Sequence, residues 1–208
     1  MYFFGQEIMA EVAERAGLKA LLGIDFKNPE LSISHAVELA KKYKHQKNVK
    51  ITLAPHSVYA CSRDTLEKVK QAAEAGGFRV HIHVSESEKE IADCRKTHDK
   101  SPVEYLDELG LLSDKLMAAH SIWLSDGDLK IFKDRGVKVA HCPVSNMKLT
   151  AGVAPLNKIL KSGITVGLGT DGAASNNTLD LFSDMRVCAL LHKAIHFDPV
   201  VASAREVV

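Results

Sequence analysis

Two histidines and a glutamate stand close together in the segment Val80-His81-Ile82-His83-Val84-Ser85-Glu86. The apolar residues around the histidines predict a strand, and because side chains alternate along a strand, His81 and His83 point to the same face. Glu86 follows just past the end of this strand. Neutral imidazole is a common metal ligand, and a carboxylate beside a metal can move protons. The segment indicates either a metal site or hydrogen-bonded core histidines, and it leaves both open.

Other polar residues also fall at the ends of predicted strands. These are five of the ten histidines and one aspartate: His56, His81, His83, His120, His141 and Asp171. In a barrel the carboxyl ends of all strands converge on one face, so separate strands can direct these side chains to one point. This clustering favours a metal or general-base site over core histidines.

The ligand types indicate the chemistry of such a site. Imidazole and carboxylate groups without a cysteine pair suit Zn²⁺ or Fe²⁺ in a hydrolytic site that keeps one position open for water. A bound metal lowers the pKa of that water towards about 7, which supplies a nucleophile at neutral pH. A carboxylate such as Glu86 can then carry a proton to a leaving nitrogen.

Hydrophobic periodicity and turn residues predict the elements that position these side chains. Helices are predicted at 6–16, 33–43, 62–75, 88–98, 102–109, 129–135, 155–161 and 179–196. Besides the strand that begins at Val80, strands are predicted at 19–26, 49–54, 115–120, 137–140 and 164–168. Alternating helices and continuous apolar strands are typical of a parallel sheet with both faces buried.

Two parallel architectures fit this order, a (β/α) barrel and an open doubly wound sheet. The turn Gly167-x-Gly169 lacks the third glycine of a dinucleotide-binding fingerprint and has Asp171 nearby. The dinucleotide fold is therefore the weaker choice.

Composition excludes several classes of partner. The net charge is +1, from 27 basic and 26 acidic side chains, which argues against an electrostatic grip on nucleic acid. The chain has no apolar run long enough to span a membrane and no signal-peptide pattern at its start. The cysteines are scattered without a C-x-x-C pair, as expected for reduced thiols. We expect a cytoplasmic protein that binds neither nucleic acid nor membrane.

Five segments stand out in order along the chain. They are Ala54-Pro55-His56-Ser57, His83-x-x-Glu86, Ala118-Ala119-His120, His141-Cys142-Pro143-x-Ser145-Asn146-x-Lys148-Leu149 and Leu168-Gly169-Thr170-Asp171-Gly172-Ala173-Ala174-Ser175-Asn176-Asn177. Together they resemble the amidohydrolase superfamily, in the branch of adenosylhomocysteine/methylthioadenosine deaminases and triazine chlorohydrolases. The resemblance runs from Met1 to about Ala194. It implies a TIM barrel and a metal-dependent hydrolase that acts on carbon-nitrogen bonds.

The resemblance assigns a role to each matching residue. His83 and Asp171 resemble the metal-binding residues of the fifth and eighth barrel strands. Glu86 matches the proton-shuttling glutamate, and His120 matches the sixth-strand histidine that hydrogen-bonds the attacking hydroxide. His56 takes the place of a histidine that contacts substrate. The implied catalytic set is Glu86, His120 and Asp171, and Glu86 also binds substrate with His56.

Two other histidines receive lesser roles from the resemblance. His81 lies where relatives often carry a residue that does not bind metal, so we expect it beside the pocket rather than in the ligand set. His141 is expected to be structural, and Ser145 and Asn146 are expected to shape the rim of the site.

Part of the family pattern has no counterpart in these 208 residues. The family's first strand carries a His-x-His pair that supplies two further metal ligands, and a small β-sandwich is built from both termini. We therefore expect residues 1–208 to form a single, incomplete (β/α)8 barrel domain of about strands two to eight, with Met1 inside strand two. Because His83 and Asp171 alone cannot fill a four-ligand site, we expect weak or absent binding of zinc, or alternatively iron.

The missing strand also predicts how the chain associates. Unpaired edges on strands two and eight invite pairing with another chain, so we expect a homo-oligomer or another association through these edges.

The substrate predicted from the resemblance is an aminated purine, pterin or triazine ring that loses its amine. Ile24 lies where nucleoside deaminases of this branch carry an arginine, so adenosylhomocysteine is not a safe choice. Two alternatives remain: a triazine-type chlorohydrolase, and a non-catalytic fragment or oligomerisation module that lacks the His-x-His ligands.

Overall fold

The computed structural model describes residues 5–208, which form an α/β fold around one parallel sheet. Its six strands follow one another in sequence order, so each strand lies beside the one before it. Their bounds are β1 Ala20–Asp25, β2 Val49–Ala54, β3 Arg79–Val84, β4 Leu116–His120, β5 Lys138–His141 and β6 Val166–Leu168. The predicted fold class is confirmed, and the open sheet is consistent with an incomplete barrel.

Helices precede the first strand, connect successive strands and follow the last one. Their bounds are α1 Gln6–Arg15, α2 Pro29–Lys42, α3 Arg63–Gly76, α4 Glu88–His98, α5 Pro102–Glu108, α6 Asp126–Arg135, α7 Pro143–Lys148, α8 Leu156–Lys161, α9 Ala173–Asn176, α10 Leu181–His196 and α11 Ala204–Val207. A helix between parallel strands is the usual crossover in a βα repeat. The predicted alternation is therefore confirmed.

The helix ends show why the periodic segments stop where they do. The Ser62 side chain accepts a hydrogen bond from Thr65 N at 3.1 Å at the start of α3. Gly77 ends this helix at φ 66°, a conformation that glycine adopts without steric penalty. Ser125 and Asp128 form a reciprocal capping box at the start of α6.

The structure differs from the predictions in the short elements. α7, α9 and α11 were not predicted, because segments of four to six residues carry too little periodicity to be recognised. β6 begins at Val166 rather than at Ile164, whose backbone N–H instead bonds Ile159 O at 3.3 Å after the end of α8. The predicted placement of Met1 in a second barrel strand, with the exposed edge of that strand, lies outside the described residues.

The core forms where the apolar strand faces meet the helices. In β3 the side chains of Val80, Ile82 and Val84 are buried, whereas His81 and His83 alternate with them and are half-buried. Ile82 belongs to the main hydrophobic cluster, together with Leu53 and Phe132. Burial of such side chains is the main favourable term in folding, and it holds the histidine-bearing face of β3 in place.

None of the helices in the described part of the chain is both long and apolar enough to cross a membrane.

Ile82→Ala is expected to destabilise the chain by about 2–5 kcal/mol, because it leaves a cavity behind the histidine-bearing strand. Ile82 is 1% exposed, whereas Ile8, the matched control, is 68% exposed. Ile8→Ala should change stability by less than about 1 kcal/mol. Urea denaturation followed by circular dichroism measures both, and equal losses in the two variants would contradict the described core.

Candidate functional site

The carboxyl ends of β2, β3, β4 and β6 bring the predicted site residues together. His83, His120 and Asp171 each offer one potential ligand atom, and these atoms lie within 4.8 Å of one another. The rings of His56 and His83 have centroids 4.6 Å apart. Glu86 Oε1 lies 3.7 Å from His120 Nε2. The five residues predicted for catalysis, substrate binding and metal binding therefore share one region of the structure.

His83 is oriented by the backbone at the end of β2. The carbonyl oxygen of His56 accepts a hydrogen bond from His83 N at 3.0 Å, and His83 Nδ1 lies 2.6 Å from the same oxygen. The proton on Nδ1 donates to this carbonyl, which leaves the lone pair of Nε2 free. Burial lowers the pKa of His83 to about 3, so the ring is neutral, as a metal ligand must be.

His120, the last residue of β4, is held from the opposite side. Its Nδ1 lies 2.8 Å from Asn146 Oδ1 on α7. With the amide oxygen as the acceptor, Nδ1 carries the proton and Nε2 is directed towards Glu86. The His120 side chain is 2% exposed, whereas that of Glu86 is 19% exposed. A buried histidine therefore faces a carboxylate that reaches the open side of the site.

Asp171 follows β6 and is anchored by two hydroxyl groups. Ser145 Oγ and Ser175 Oγ donate to Asp171 Oδ2 at 2.7 and 2.6 Å. Burial of the carboxylate opposes ionisation, but the hydrogen bonds from Ser175 and Ser145 outweigh this effect, and the net pKa is lowered. Asp171 is thus a fixed, charged carboxylate in which one oxygen already has two donors.

The backbone at these strand ends adopts an uncommon conformation. Ser85, His120, Ser121 and Asp171 have φ of 53°, 66°, 52° and 61°, in the left-handed region that residues other than glycine rarely occupy. Each such residue costs of the order of 1–3 kcal/mol. Clustered strain of this kind is typical of functional sites, and here it turns the chain sharply where the side chains of the site begin.

His56 and His81 lie beside this group. His56 Nε2 is 3.0 Å from the hydroxyl of Tyr59, and burial lowers the pKa of His56. The His81 ring is 6.2 Å from that of His83, and His81 is not one of the residues that share potential ligand atoms there. His81 is therefore outside the ligand group, and its place beside the pocket stays a prediction.

His141 is not part of this ligand group and has a buried contact of its own. It is 1% exposed, and its Nε2 lies 3.3 Å from Nε2 of His192 on α10. Burial lowers the pKa of His141 to about 3. The His141 ring is therefore neutral in the physiological pH range.

Glu90 was missed by the sequence analysis. It is 3% exposed, and its Oε2 accepts a hydrogen bond from the backbone N–H of Glu86 at 2.7 Å. Ser87, the N-cap of α4, accepts from Glu90 N at 3.2 Å. The sequence Ser87-x-x-Glu90 has the spacing of a capping box, and this signal could have revealed the residue that holds the Glu86 backbone.

Comparison with known proteins identifies the family. The Amidohydrolase family profile matches residues 1–206. A 5-methylthioadenosine/S-adenosylhomocysteine deaminase from Pyrococcus abyssi is 43% identical over 215 residues, covering 100% of this chain and 50% of that protein. The chain belongs to the amidohydrolase family, and the predicted membership is confirmed.

Solved structures agree with this assignment. An adenosine deaminase from Xanthomonas campestris with bound zinc superposes with a TM-score of 0.93 and 32% identity, covering 99% of this chain and 48% of that one. An atrazine chlorohydrolase from Arthrobacter aurescens in complex with zinc gives 0.86 and 26%, with 97% and 49% covered. The chain spans about half the length of the curated relatives it matches.

Glu90→Gln is expected to change how stability depends on pH. Burial raises the pKa of Glu90 to about 7, so the protonated form favours the folded state. This contribution is complete below the ordinary pKa of 4.5 and is lost as the pH rises through about 7. The glutamine variant, which stays neutral, should gain about 1–3 kcal/mol relative to wild type between pH 5 and pH 8.

Urea denaturation at pH 5 and pH 8 measures this difference. Glu88→Gln is the matched control, since Glu88 is exposed in the first turn of the same helix. Parallel pH dependence in wild type and Glu90→Gln would show that the carboxyl does not titrate as described.

Proposed function

We propose that this site is part of a metal-dependent deaminase centre that removes an amine from an aminated purine, pterin or triazine ring. The proposal depends mainly on one observation: Glu86, His120, His83 and Asp171 meet at one end of the sheet of an amidohydrolase-family chain. The similar proteins are named as deaminases of adenosine-type substrates or as a triazine-type hydrolase, which supports a small nitrogen-rich ring as the substrate class.

His83 and Asp171 are the proposed metal ligands. His83 presents a neutral Nε2, and Asp171 is charged, with Oδ2 held by two serines. This donor set fits zinc, with iron as the alternative, and zinc is bound in the two similar structures. The bound metal would lower the pKa of a water molecule and so supply the nucleophile.

The protein side chains would handle the protons and the ring. His120 Nε2 would accept a hydrogen bond from the attacking oxygen, while the Asp171 carboxylate would take its proton. Glu86, 3.7 Å from His120, would transfer a proton to the departing amine, which leaves as ammonia. His56 and Glu86 would also contact the substrate ring, since both lie on the open side of the group.

Glu86→Gln is expected to lower kcat for ammonia release about 10²- to 10⁴-fold, because the amide cannot donate and regain the proton. The assay is ammonia release from 5-methylthioadenosine and from an aminated triazine in the presence of zinc. The exposed Glu88→Gln variant, two residues away, should match wild type. Unchanged turnover in Glu86→Gln would contradict the assigned role.

The same assay separates the alternatives. Chloride release without ammonia from a chlorinated triazine would favour the chlorohydrolase, which is supported by the likeness to the atrazine enzyme. No turnover of any of these substrates by the protein in the presence of excess zinc would overturn the catalytic proposal. It would favour a non-catalytic fragment or an oligomerisation module, the reading supported by the half-length match.

We propose one domain, because a single sheet links β1 to β6. The edges of this sheet, at β1 and β6, are proposed to pair with further strands or with another copy of the chain. Free cysteines support a reducing compartment such as the cytoplasm.

We expect any zinc that remains bound after dialysis to be held outside the proposed active site, because His83 and Asp171 alone bind zinc too weakly to retain it. The His83→Asn/Asp171→Asn double variant should retain the same amount of zinc as wild type, as measured by elemental analysis. Loss of one equivalent in the double variant would show that these two residues bind zinc tightly and would contradict the expectation.

A further inference from the structure

The buried face of α10 carries polar residues at helical spacing. Asp184, Cys188 and His192 lie four residues apart, so they stack on one side of the helix. All three are buried, with exposures of 0%, 0% and 1%. A helix that packs on a sheet normally uses apolar side chains on this face. The polar residues therefore require an explanation that apolar packing does not give.

Two of these residues meet a third from the sheet. His141, at the end of β5, lies with Cys188 and His192 so that one potential ligand atom from each is within 4.8 Å of the others. The two histidine Nε2 atoms are 3.3 Å apart. Zn–N bonds of about 2.0–2.1 Å at the tetrahedral angle place two nitrogens about 3.3–3.4 Å apart. The histidine pair therefore already has the spacing of two ligands on one zinc ion.

We propose that His141, Cys188 and His192 form a second metal site, which binds a zinc ion. Imidazole nitrogen and thiolate sulfur are both zinc donors, and the i, i+4 pair on α10 presents two of the three ligands from one helix face. The thiol proton is released to solvent when the sulfur binds the metal. A water molecule would complete the four ligands.

Asp184 is not part of the proposed ligand set. Its Oδ2 accepts a hydrogen bond from Asn176 Nδ2 at 2.9 Å, and its Oδ1 accepts from Val144 N at 3.4 Å. Both carboxylate oxygens are thus already used to connect α10 with α9 and α7. The proposed site is therefore limited to His141, Cys188 and His192.

A histidine–histidine hydrogen bond without metal is the competing explanation. It accounts for the 3.3 Å contact, but it leaves Cys188 without a hydrogen-bond partner among the described residues. Cys188 also touches a small apolar cluster with Leu156 and Ala202, where a cysteine can act as a small hydrophobe. Only the metal site uses all three polar side chains.

Cobalt(II) substitution tests the proposal independently of catalysis. Cobalt bound to a thiolate gives a near-ultraviolet charge-transfer absorption that histidine and carboxylate ligands do not give. We expect about one equivalent of cobalt to produce this absorption, and zinc to displace it. The His83→Asn/Asp171→Asn variant should keep the absorption, so the result does not depend on the proposed active site.

Cys188→Ser should abolish the absorption and weaken zinc binding by about 100-fold or more. Cys94→Ser is the matched control, because Cys94 is also a buried free cysteine but belongs to the main core. If Cys188→Ser fails to fold, wild type decides: zinc should raise its melting temperature and a chelator should reverse the rise. Absence of the absorption in wild type, or its persistence in Cys188→Ser, would overturn the site and leave the histidine hydrogen bond.

Discussion

The parallel alignment of β2 with β3 at their carboxyl ends is the constraint on which the active-site geometry depends. Ser57 pairs with His83 in an isolated parallel bridge just beyond β2. The His56 carbonyl then receives both the backbone N–H and the ring nitrogen of His83. One oxygen atom thereby sets the strand register, the ring orientation and the tautomer. The next strand continues the alignment, since Val84 pairs with His120.

The sequence predicted the fold well because the strands are regular. The bounds of β2 agree with the predicted 49–54, and the helix over 88–98 begins and ends as expected. Continuous apolar runs and Gly stops carry this information locally. α7 and α9 were missed because six and four residues carry too little periodicity of their own, and their positions depend on the packing of α7 against α9 and α10. The placement of His83, His120 and Asp171 in one group followed from the strand-end rule for barrels.

The supporting contacts of the site could not be predicted in the same way. His120 meets Asn146, which is 26 residues away, and His141 meets His192, which is 51 residues away. No local pattern links such pairs. The left-handed backbone at His120 and Asp171 was also unpredictable, because histidine and aspartate adopt this conformation more often than most residues but still only in a small fraction of cases. Glu90 is different, since its capping spacing was visible in the sequence.

Several buried polar groups around the proposed active site oppose folding. The hydroxyl oxygens of Ser85 and Ser121 are buried without hydrogen-bond partners, and so is Asn146 Nδ2. A buried polar group without a partner costs about 1–3 kcal/mol. Apolar burial on the opposite faces of β3 and β4, at Ile82 and Leu116, offsets this loss. The strained backbone at the ends of β3 and β4 therefore depends on the well-packed core behind these strands.

α7 connects the proposed active site to α10. Its Ser145 and Asn146 contact Asp171 and His120, and Asp184 of α10 accepts a hydrogen bond from the α7 backbone at Val144. A contact between α10 and the end of β5, such as that of His192 with His141, therefore restricts the movement of α7 without contacting the substrate. Because the Asp171 carboxylate and the His120 tautomer are fixed from α7, α10 is required for the geometry of the site although it contributes none of its proposed catalytic residues.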